Sequence, residues 1–448
     1  MKYSFSFIIT PIIVIFLKTE ELGLWYTFAS INAFACLLDL GFSQNFLRNF
    51  AFAWGGAKEL EKEGVAKQSA GEPNKRLYSI LLSASSKLYL VISSVAFIAL
   101  LIIGTPYILY IMRGYEQSYL VPWLVYAFAI FINLMFGWWF SALEGAGKIA
   151  KAQQAITIGN IANFVVVIVC MFLRVGLIGL ALAYLINGLV SRAVAQYYFH
   201  KNVITKQEIA ALQSDVSSSE IKQTVFTIWF NAKKNAVVTL AETLSGQLGT
   251  IICSGVISVE VTASYGLCCQ IANIVTTIAV SNHTANMPVY ANLWTNDDKQ
   301  TIRKLYSRAI FAYMTISIVI GVLAIVFGVP VIRIIKPSIE LPYMMLLLVI
   351  ITYVFDNLYS SNAKFIATKN KIPYVKDNII ALILVILLYI LLLRGFELGV
   401  YGLIVGKVLG KLFLYIKWNH YAFKMVDCSF LQLNAEGCRY YLSKLKTS

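Results

Sequence analysis

Three carboxylates, Asp39, Glu242 and Asp356, stand inside long apolar runs of this 448-residue chain. Seven cations stand in such runs too: Arg48, Lys87, Arg192, Lys233, Lys234, Lys407 and Lys411. An ionisable side chain held in a bilayer is costly unless it faces water or a protein interior, so residues of this kind mark a functional interior. The surplus is cationic. One base for each acid leaves four positive charges unmatched, and these call for water or an anion. A diphosphate would supply both charge and acceptor oxygens. The chemistry indicated is binding rather than catalysis. No HExxH, GxSxG or carboxylate-pair motif is present, and the chain lacks the G-x-x-x-x-G-K-[ST] loop of an ATPase. We therefore expect no enzyme activity.

Depth separates these residues. At 1.5 Å per residue, Lys87 and Lys407 lie roughly 15 Å into their runs, near the midplane of a ~30 Å hydrocarbon core. Arg48, Lys87, Lys407 and one of Lys233 and Lys234 are the candidate anion-binding set. The last two are adjacent, so they point about 100° apart and only one need face a cavity. Lys411 shares a face with Lys407, but for Lys411 and Arg192 snorkelling to the interface is the expected role. Arg48 is compatible with either. Asp39, Glu242, Asn231, Asn235 and Asp356 are candidates for a polar cavity or a coupling-ion site, for H+ or Na+. Glu242 lines up with Asn231, Asn235, Gly246 and Gly249, a stripe that also suits close helix packing. Asp356 stands next to Asn357 and could be a structural hydrogen-bonding residue. Asp39 shares a face with Asn32, Cys36 and Ser43, whereas Arg48 clusters with Gln44 and Asn45. Nine residues apart on a straight helix, Asp39 and Arg48 face opposite ways and cannot pair, although Gly41 could bend the helix between them. His200, His283 and His420 fall near helix ends, where interfacial solvation is the expected role rather than metal binding.

The elements that position these groups are membrane helices. The chain is 59% hydrophobic and 13% charged, with a mean hydropathy of +0.72, and soluble domains carry about twice that charge. About twelve spans are predicted, at 3–17, 23–50, 77–103, 119–143, 154–173, 176–199, 224–253, 262–287, 305–329, 341–362, 374–393 and 398–421. The first is short for a span, which points to a start upstream of Met1. With the N-terminus inside, most of the 37 Lys and Arg fall in the inside loops, and both termini are expected in the cytosol of a multi-pass inner-membrane protein. The net charge of +15 follows from this bias and implies no nucleic acid. Seven Cys form no metal spacing; those in apolar runs read as packing residues.

An internal repeat organises the spans. Arg76-Leu-Tyr-Ser leads to Gly104-Thr-Pro-Tyr-Ile, and Lys304-Leu-Tyr-Ser leads to Gly328-Val-Pro-Val-Ile. Arg174-Val-Gly-Leu-Ile-Gly179 likewise matches Arg394-Gly-Phe-Glu-Leu-Gly399. The expected architecture is all-α: an N-terminal six-helix lobe (1–200), a cytoplasmic linker (201–221), a C-terminal six-helix lobe (222–424) and a cytoplasmic tail (425–448). An even number of spans per lobe makes the repeat parallel.

Gly23-Leu-Trp25, Asp39-Leu-Gly-Phe42 and Arg48, with Ala285-x-x-Pro288-x-Tyr290 and Asp298-x-x-x-x-Arg303-Lys-Leu-Tyr306 in the second half, resemble the polysaccharide-transport branch of the multidrug/oligosaccharidyl-lipid/polysaccharide exporter superfamily. Within it the chain is similar to O-antigen flippases of the Wzx type. The resemblance implies a MATE-like fold of two six-helix lobes around a central cavity. It also implies a monomeric flippase for an undecaprenyl-diphosphate-linked oligosaccharide, partnered by membrane lipids and by a polysaccharide polymerase or other assembly proteins. The superfamily's lipid II flippases carry two further helices, which are absent here. A cation-coupled multidrug antiporter and a non-transporting scaffold of a polysaccharide synthesis complex are the alternatives. The antiporter would want a net acidic cavity.

Overall fold

The apolar runs fold as helices in the computed structural model, which describes residues 4–57, 59, 72–113, 115, 119–213, 216–295, 298–369 and 372–447. In chain order they are α1 (Ser4–Phe16), α2 (Thr19–Leu37), α3 (Phe42–Trp54), α4 (Lys75–Ala99), α5 (Thr105–Ile111), α6 (Leu120–Met135), α7 (Trp138–Gly145), α8 (Ile149–Phe172), α9 (Leu177–Asn202), α10 (Lys206–Gln213) and α11 (Ser218–Ile252). They continue with α12 (Val259–Ala285), α13 (Met287–Thr295), α14 (Lys299–Leu323), α15 (Val329–Ile335), α16 (Tyr343–Ala367), α17 (Val375–Ile390), α18 (Gly399–Lys424) and α19 (Phe430–Thr447). No strand occurs among the described residues. Among the described residues ten helices are long and apolar enough to cross a membrane, and α2 with α3 makes an eleventh if the bent pair is one span. The protein is thus a multi-pass membrane protein. The twelfth expected span is α1, whose 13 described residues fall short of the ~20 that cross a bilayer.

Two compact units divide the chain at Thr243 and Leu244, inside α11. The repeat recurs in both as local structure. Asn74 Oδ1 accepts from Leu77 N at 3.0 Å and caps α4; Asp298 Oδ1 accepts from Thr301 N at 3.0 Å and caps α14. A π-helical segment then follows each helix, at Leu100–Gly104 and Ala324–Gly328. Pro106 and Pro330 open the short helices α5 and α15, where a missing N–H is least harmful. This register pairs Lys75 with Lys299, so the Arg76 and Lys304 motifs match one helical turn out of step. The loop motif shifts as well. Positive φ occurs at Arg174 and Gly176, and again at Glu397 and Gly399, so Arg174 corresponds to Glu397 and not to Arg394.

The 201–221 and 425–448 stretches are also counterparts. Each contains a surface helix that returns to the third long helix of its unit, α10 to α4 and α19 to α14. Lys75 Nζ meets Glu208 Oε1 at 3.0 Å and Arg76 Nη2 meets Glu220 Oε1 at 2.9 Å. Arg303 pairs with Glu436. In unit 1 the core beneath α10 is aromatic: Phe46, Phe50, Tyr78, Trp139 and Phe199 are all buried.

Candidate functional site

In unit 1 the site begins at the break between α2 and α3. Leu40 (φ 47°) and Gly41 (φ 74°) are both left-handed, a conformation Gly adopts freely and Leu only at a cost of about 1–2 kcal/mol. The two helices meet at 48°. The bend turns the Asp39 carboxylate onto the start of α3, where Oδ2 accepts from Ser43 Oγ at 2.9 Å and from Ser43 N at 3.4 Å. Tyr89 on α4 donates its hydroxyl to Asp39 Oδ1. Tyr89 is 3% exposed, so this bond forms away from bulk water, where it is strong. Asp39 is therefore engaged by neutral donors, and its partner is a tyrosine that sequence reading left unnamed. Arg48 lies two turns further on and is exposed, with Nη2 3.3 Å from Asn45 Oδ1. Lys87 on α4 is exposed.

Arg192 on α9 faces inward, contrary to the snorkelling expected of it. Its Nε and Nη2 donate to the Asn133 carbonyl at 3.3 and 3.1 Å, and Nη1 lies 2.9 Å from Ser191 Oγ. The Phe140 ring stacks 5.4 Å away. The cause is local. α6 ends at Met135, and Gly137 N turns back to the Leu134 carbonyl, which releases the Asn133 carbonyl for the guanidinium. The Asn133 amide nitrogen is buried with no hydrogen-bond partner, beside Gly188, where any Cβ would stand 2.5 Å from Asn133 Oδ1.

In unit 2 the carboxylate is surrounded differently. Lys407 Nζ lies 2.7 Å from Asp356 Oδ2, and Lys411 Nζ 2.7 Å from Oδ1. Tyr415 also donates to Oδ1, at 2.7 Å. Both lysines are 5% exposed. They stand one turn apart on α18 and face Asp356 on α16. Lys411 thus does not snorkel, and Lys407 is not a free cation. The Lys407 ammonium also sits 4.9 Å from the Tyr353 ring centroid. Asp356 is more than a hydrogen-bonding neighbour of Asn357, which separately donates to Thr276 Oγ1 at 3.1 Å and ties α16 to α12.

Glu242 is half-buried. Its stripe is not a uniform packing seam. Gly249 lies against the hydroxyls of Tyr265 and Tyr389, whereas a Cβ at Gly246 would meet nothing within 4 Å. The side chains of Asn231, Lys233, Lys234 and Asn235 lie outside the described residues. His283 is not solvated but 1% exposed, packed among Tyr290, Tyr306 and Phe365. No group of three or more metal-ligating side chains occurs among the described residues. An apolar groove of about 700 Å³ runs along α16 and α18 past Phe355, Leu412 and Ile416, with His420 and Lys424 at its lining.

Residues 235–392 match the MatE family. Curated proteins gave no match in sequence. Among solved structures, a multidrug resistance MATE family transporter of the MOP superfamily, inward-facing, is 15% identical with a TM-score of 0.71, over 95% of this chain and 94% of that one. A MATE transporter in complex with MaD3S is 15% identical with a TM-score of 0.58, over 95% and 93%. A MOP superfamily transporter from Pyrococcus furiosus is 14% identical with a TM-score of 0.55, over 95% and 93%; its binding pocket is described as reversed in polarity, suggesting a different function. Across nearly its whole length, this chain has the fold of the MATE transporters of the MOP superfamily.

Proposed function

We propose that the protein moves an anionic, lipid-linked oligosaccharide, an undecaprenyl diphosphate carrying its sugars, across the bacterial inner membrane by alternating access. One observation carries this reading. Asp39 is held by Tyr89 and Ser43, and Asp356 by two lysines, whereas Arg48 and Lys87 are exposed within their helices and pair with no acid among the described residues. Exposed charge in these helices is cationic, and it suits a diphosphate. The apolar groove on unit 2 is roomy enough for part of an isoprenoid tail. Asp39, whose partners are uncharged, is the better coupling site for a proton; Asp356 is already neutralised. Lys87 and Arg48 are assigned to the diphosphate, with the lobes contributing no catalysis.

The multidrug antiporter reading is favoured by the fold neighbours, among which are inward- and outward-facing structures of a multidrug resistance MATE family transporter. The reversed pocket polarity described for the Pyrococcus furiosus transporter supports polarity, rather than fold, as the feature that separates cargoes in this architecture. The deciding experiment reconstitutes the full chain in liposomes with a labelled lipid-diphospho-oligosaccharide. Wild type is expected to transfer it between leaflets, and Arg48→Gln with Lys87→Gln to transfer it at least ten-fold more slowly. Unchanged transfer in the double variant would overturn the charge assignment. Drug efflux in a pump-deficient strain, without lipid transfer, would establish the antiporter instead.

A further inference from the structure

A polar cavity of about 440 Å³ opens between the first three turns of α14 and the middle of α19. Its charged lining is Arg303, Lys304, Arg308, Arg439 and Glu436, four cations against one acid. The acid is committed: Arg303 Nε lies 3.1 Å from Glu436 Oε1 and 3.2 Å from Oε2, a two-oxygen contact that fixes the pair. Arg308 is held flat, its guanidinium carbon 3.4 Å from the Tyr440 ring centroid. Lys304 and Arg439 are exposed at the rim. Three cations thus face a cavity that holds no acid to match them.

The walls of this cavity are fixed by close helix contact. A Cβ on Gly437 would stand 2.7 Å from the Ser307 carbonyl, so only glycine lets α19 approach α14 so nearly. The rest of α19 indicates what lies beside it. Leu431, Ala435, Cys438 and Leu442 recur at i, i+4, i+7 and i+11, one face of a helix. Leu431 is 79% exposed and Leu442 54%. This stripe is separate from the face that buries Leu433 and Gly437. A helix with one face docked on protein, a second apolar face that starts and ends on an exposed leucine, and a basic side suits a membrane interface. The cavity is placed to suit. It borders residues 300–308 of α14, immediately before the uncharged run from Ala309 to Val329. That is headgroup depth.

We propose that this cavity is a binding site for the phosphate headgroup of an acidic membrane phospholipid, with α19 lying in the bilayer surface beside it. The site is independent of the cargo and holds whatever α14 and α18 do during transport. Charge complementarity sets the class of ligand, since three unmatched cations exclude a cationic or zwitterionic headgroup as the preferred occupant. The apolar face with exposed Leu431 and Leu442 sets the source as lipid rather than soluble phosphate.

The test uses the full chain in detergent, measured by thermal unfolding and by native mass spectrometry. Phosphatidylglycerol is expected to raise the unfolding temperature and to remain bound. Phosphatidylcholine and inorganic phosphate at equal concentration are expected to do neither. Basic residues near a membrane surface attract acidic headgroups, so Lys304→Gln with Arg308→Gln and Arg439→Gln should weaken binding at least ten-fold. Arg308→Lys with Arg439→Lys keeps the charge and should retain most of it. Equal stabilisation of wild type by phosphatidylcholine, or by inorganic phosphate alone, would overturn the proposal without recourse to any variant. So would unchanged phosphatidylglycerol binding in the triple variant.

Discussion

Asp39 and Asp356 are the anchoring carboxylates of the two units, and they are satisfied in opposite ways. Asp39 meets only hydroxyl and amide donors, from Tyr89 and Ser43. Asp356 meets two ammonium groups and one hydroxyl. The first arrangement brings no cation to its carboxylate, only hydroxyl and backbone donors. The second is a fixed cluster of net charge +1 whose acid cannot be removed without stranding two buried cations. The first also sits on a helix break built from two left-handed residues, whereas the second joins two unbroken helices, α16 and α18. One unit carries a carboxylate held by neutral donors at a bend; the other carries a brace.

The largest expected effect follows from the brace. Asp356→Asn leaves Lys407 and Lys411 buried without a counter-charge, and breaking a buried pair in this way costs about 3–5 kcal/mol. Denaturation of the purified protein should register that loss. Lys411→Met should cost far less, within about 1.5 kcal/mol, because it leaves a neutral Asp356–Lys407 pair and a side chain of similar length. Equal losses from the two substitutions would mean that Asp356 is not shared between the lysines.

At the other carboxylate, Tyr89→Phe removes a donor to a charged group and should cost about 1.5–3 kcal/mol. Asp39→Asn keeps an acceptor for Ser43 and should cost about 1 kcal/mol or less. Its effect on transport should be the reverse of its effect on stability. In the reconstituted assay, Asp39→Asn is expected to abolish the response of transfer to a pH gradient, and Lys411→Met to preserve it. A gradient response that survives Asp39→Asn would remove the functional half of the comparison. Gly41→Ala, at φ 74°, should cost about 1 kcal/mol and straighten the bend. Crosslinking between α2 and α3 would detect the straightening.

Much of this architecture is legible in the sequence. The apolar runs and the Gly104 and Gly328 motifs follow from local patterns. What does not follow is the pairing. Tyr89 and Tyr415 sit in apolar helices, where a tyrosine reads as packing until the carboxylate opposite is known. Lys407 and Lys411 share a helix face by arithmetic, but the meeting of that face with α16 is a tertiary fact. Arg192 turns inward because α6 stops at Met135 and frees one carbonyl, an event that hydropathy does not register. The Arg76 and Lys304 motifs fall out of structural register because Leu-Tyr-Ser recurs by composition, while the capping Asn74 and Asp298, chosen by the helix start, keep the spacing of Gly104 and Gly328. The polar stretches at 201–221 and 425–448 are short and mixed in composition, which hides their common role as surface helices α10 and α19.

The two surface helices extend the comparison beyond the long apolar helices, where the effects are smallest. Glu208 accepts from the Thr205 backbone N–H at 3.0 Å and from the Lys75 ammonium at 3.0 Å, and these donors, the backbone one foremost, hold its carboxyl down at about 2. A carboxyl lowered in the folded state contributes stability above its unfolded value, near 4.5, and loses it as the pH falls through the folded value. The tie of α10 to α4 should therefore be unchanged across neutral pH and loosen only below about pH 4.5. Glu208 is exposed and salt screens such pairs, so the change should be confined to α10. Hydrogen exchange at the α10 amides should quicken in Glu208→Gln at neutral pH, and in wild type only in acid. The α19 dock should behave otherwise. It rests on the Gly437 contact with α14 as well as on Arg303 and Glu436, so Glu436→Gln should leave its exchange nearly unchanged, whereas Gly437→Val should release it. If Glu436→Gln frees α19 as readily as Glu208→Gln frees α10, then charge rather than close packing holds both helices, and the surface elements of the two units are alike where their carboxylates are not.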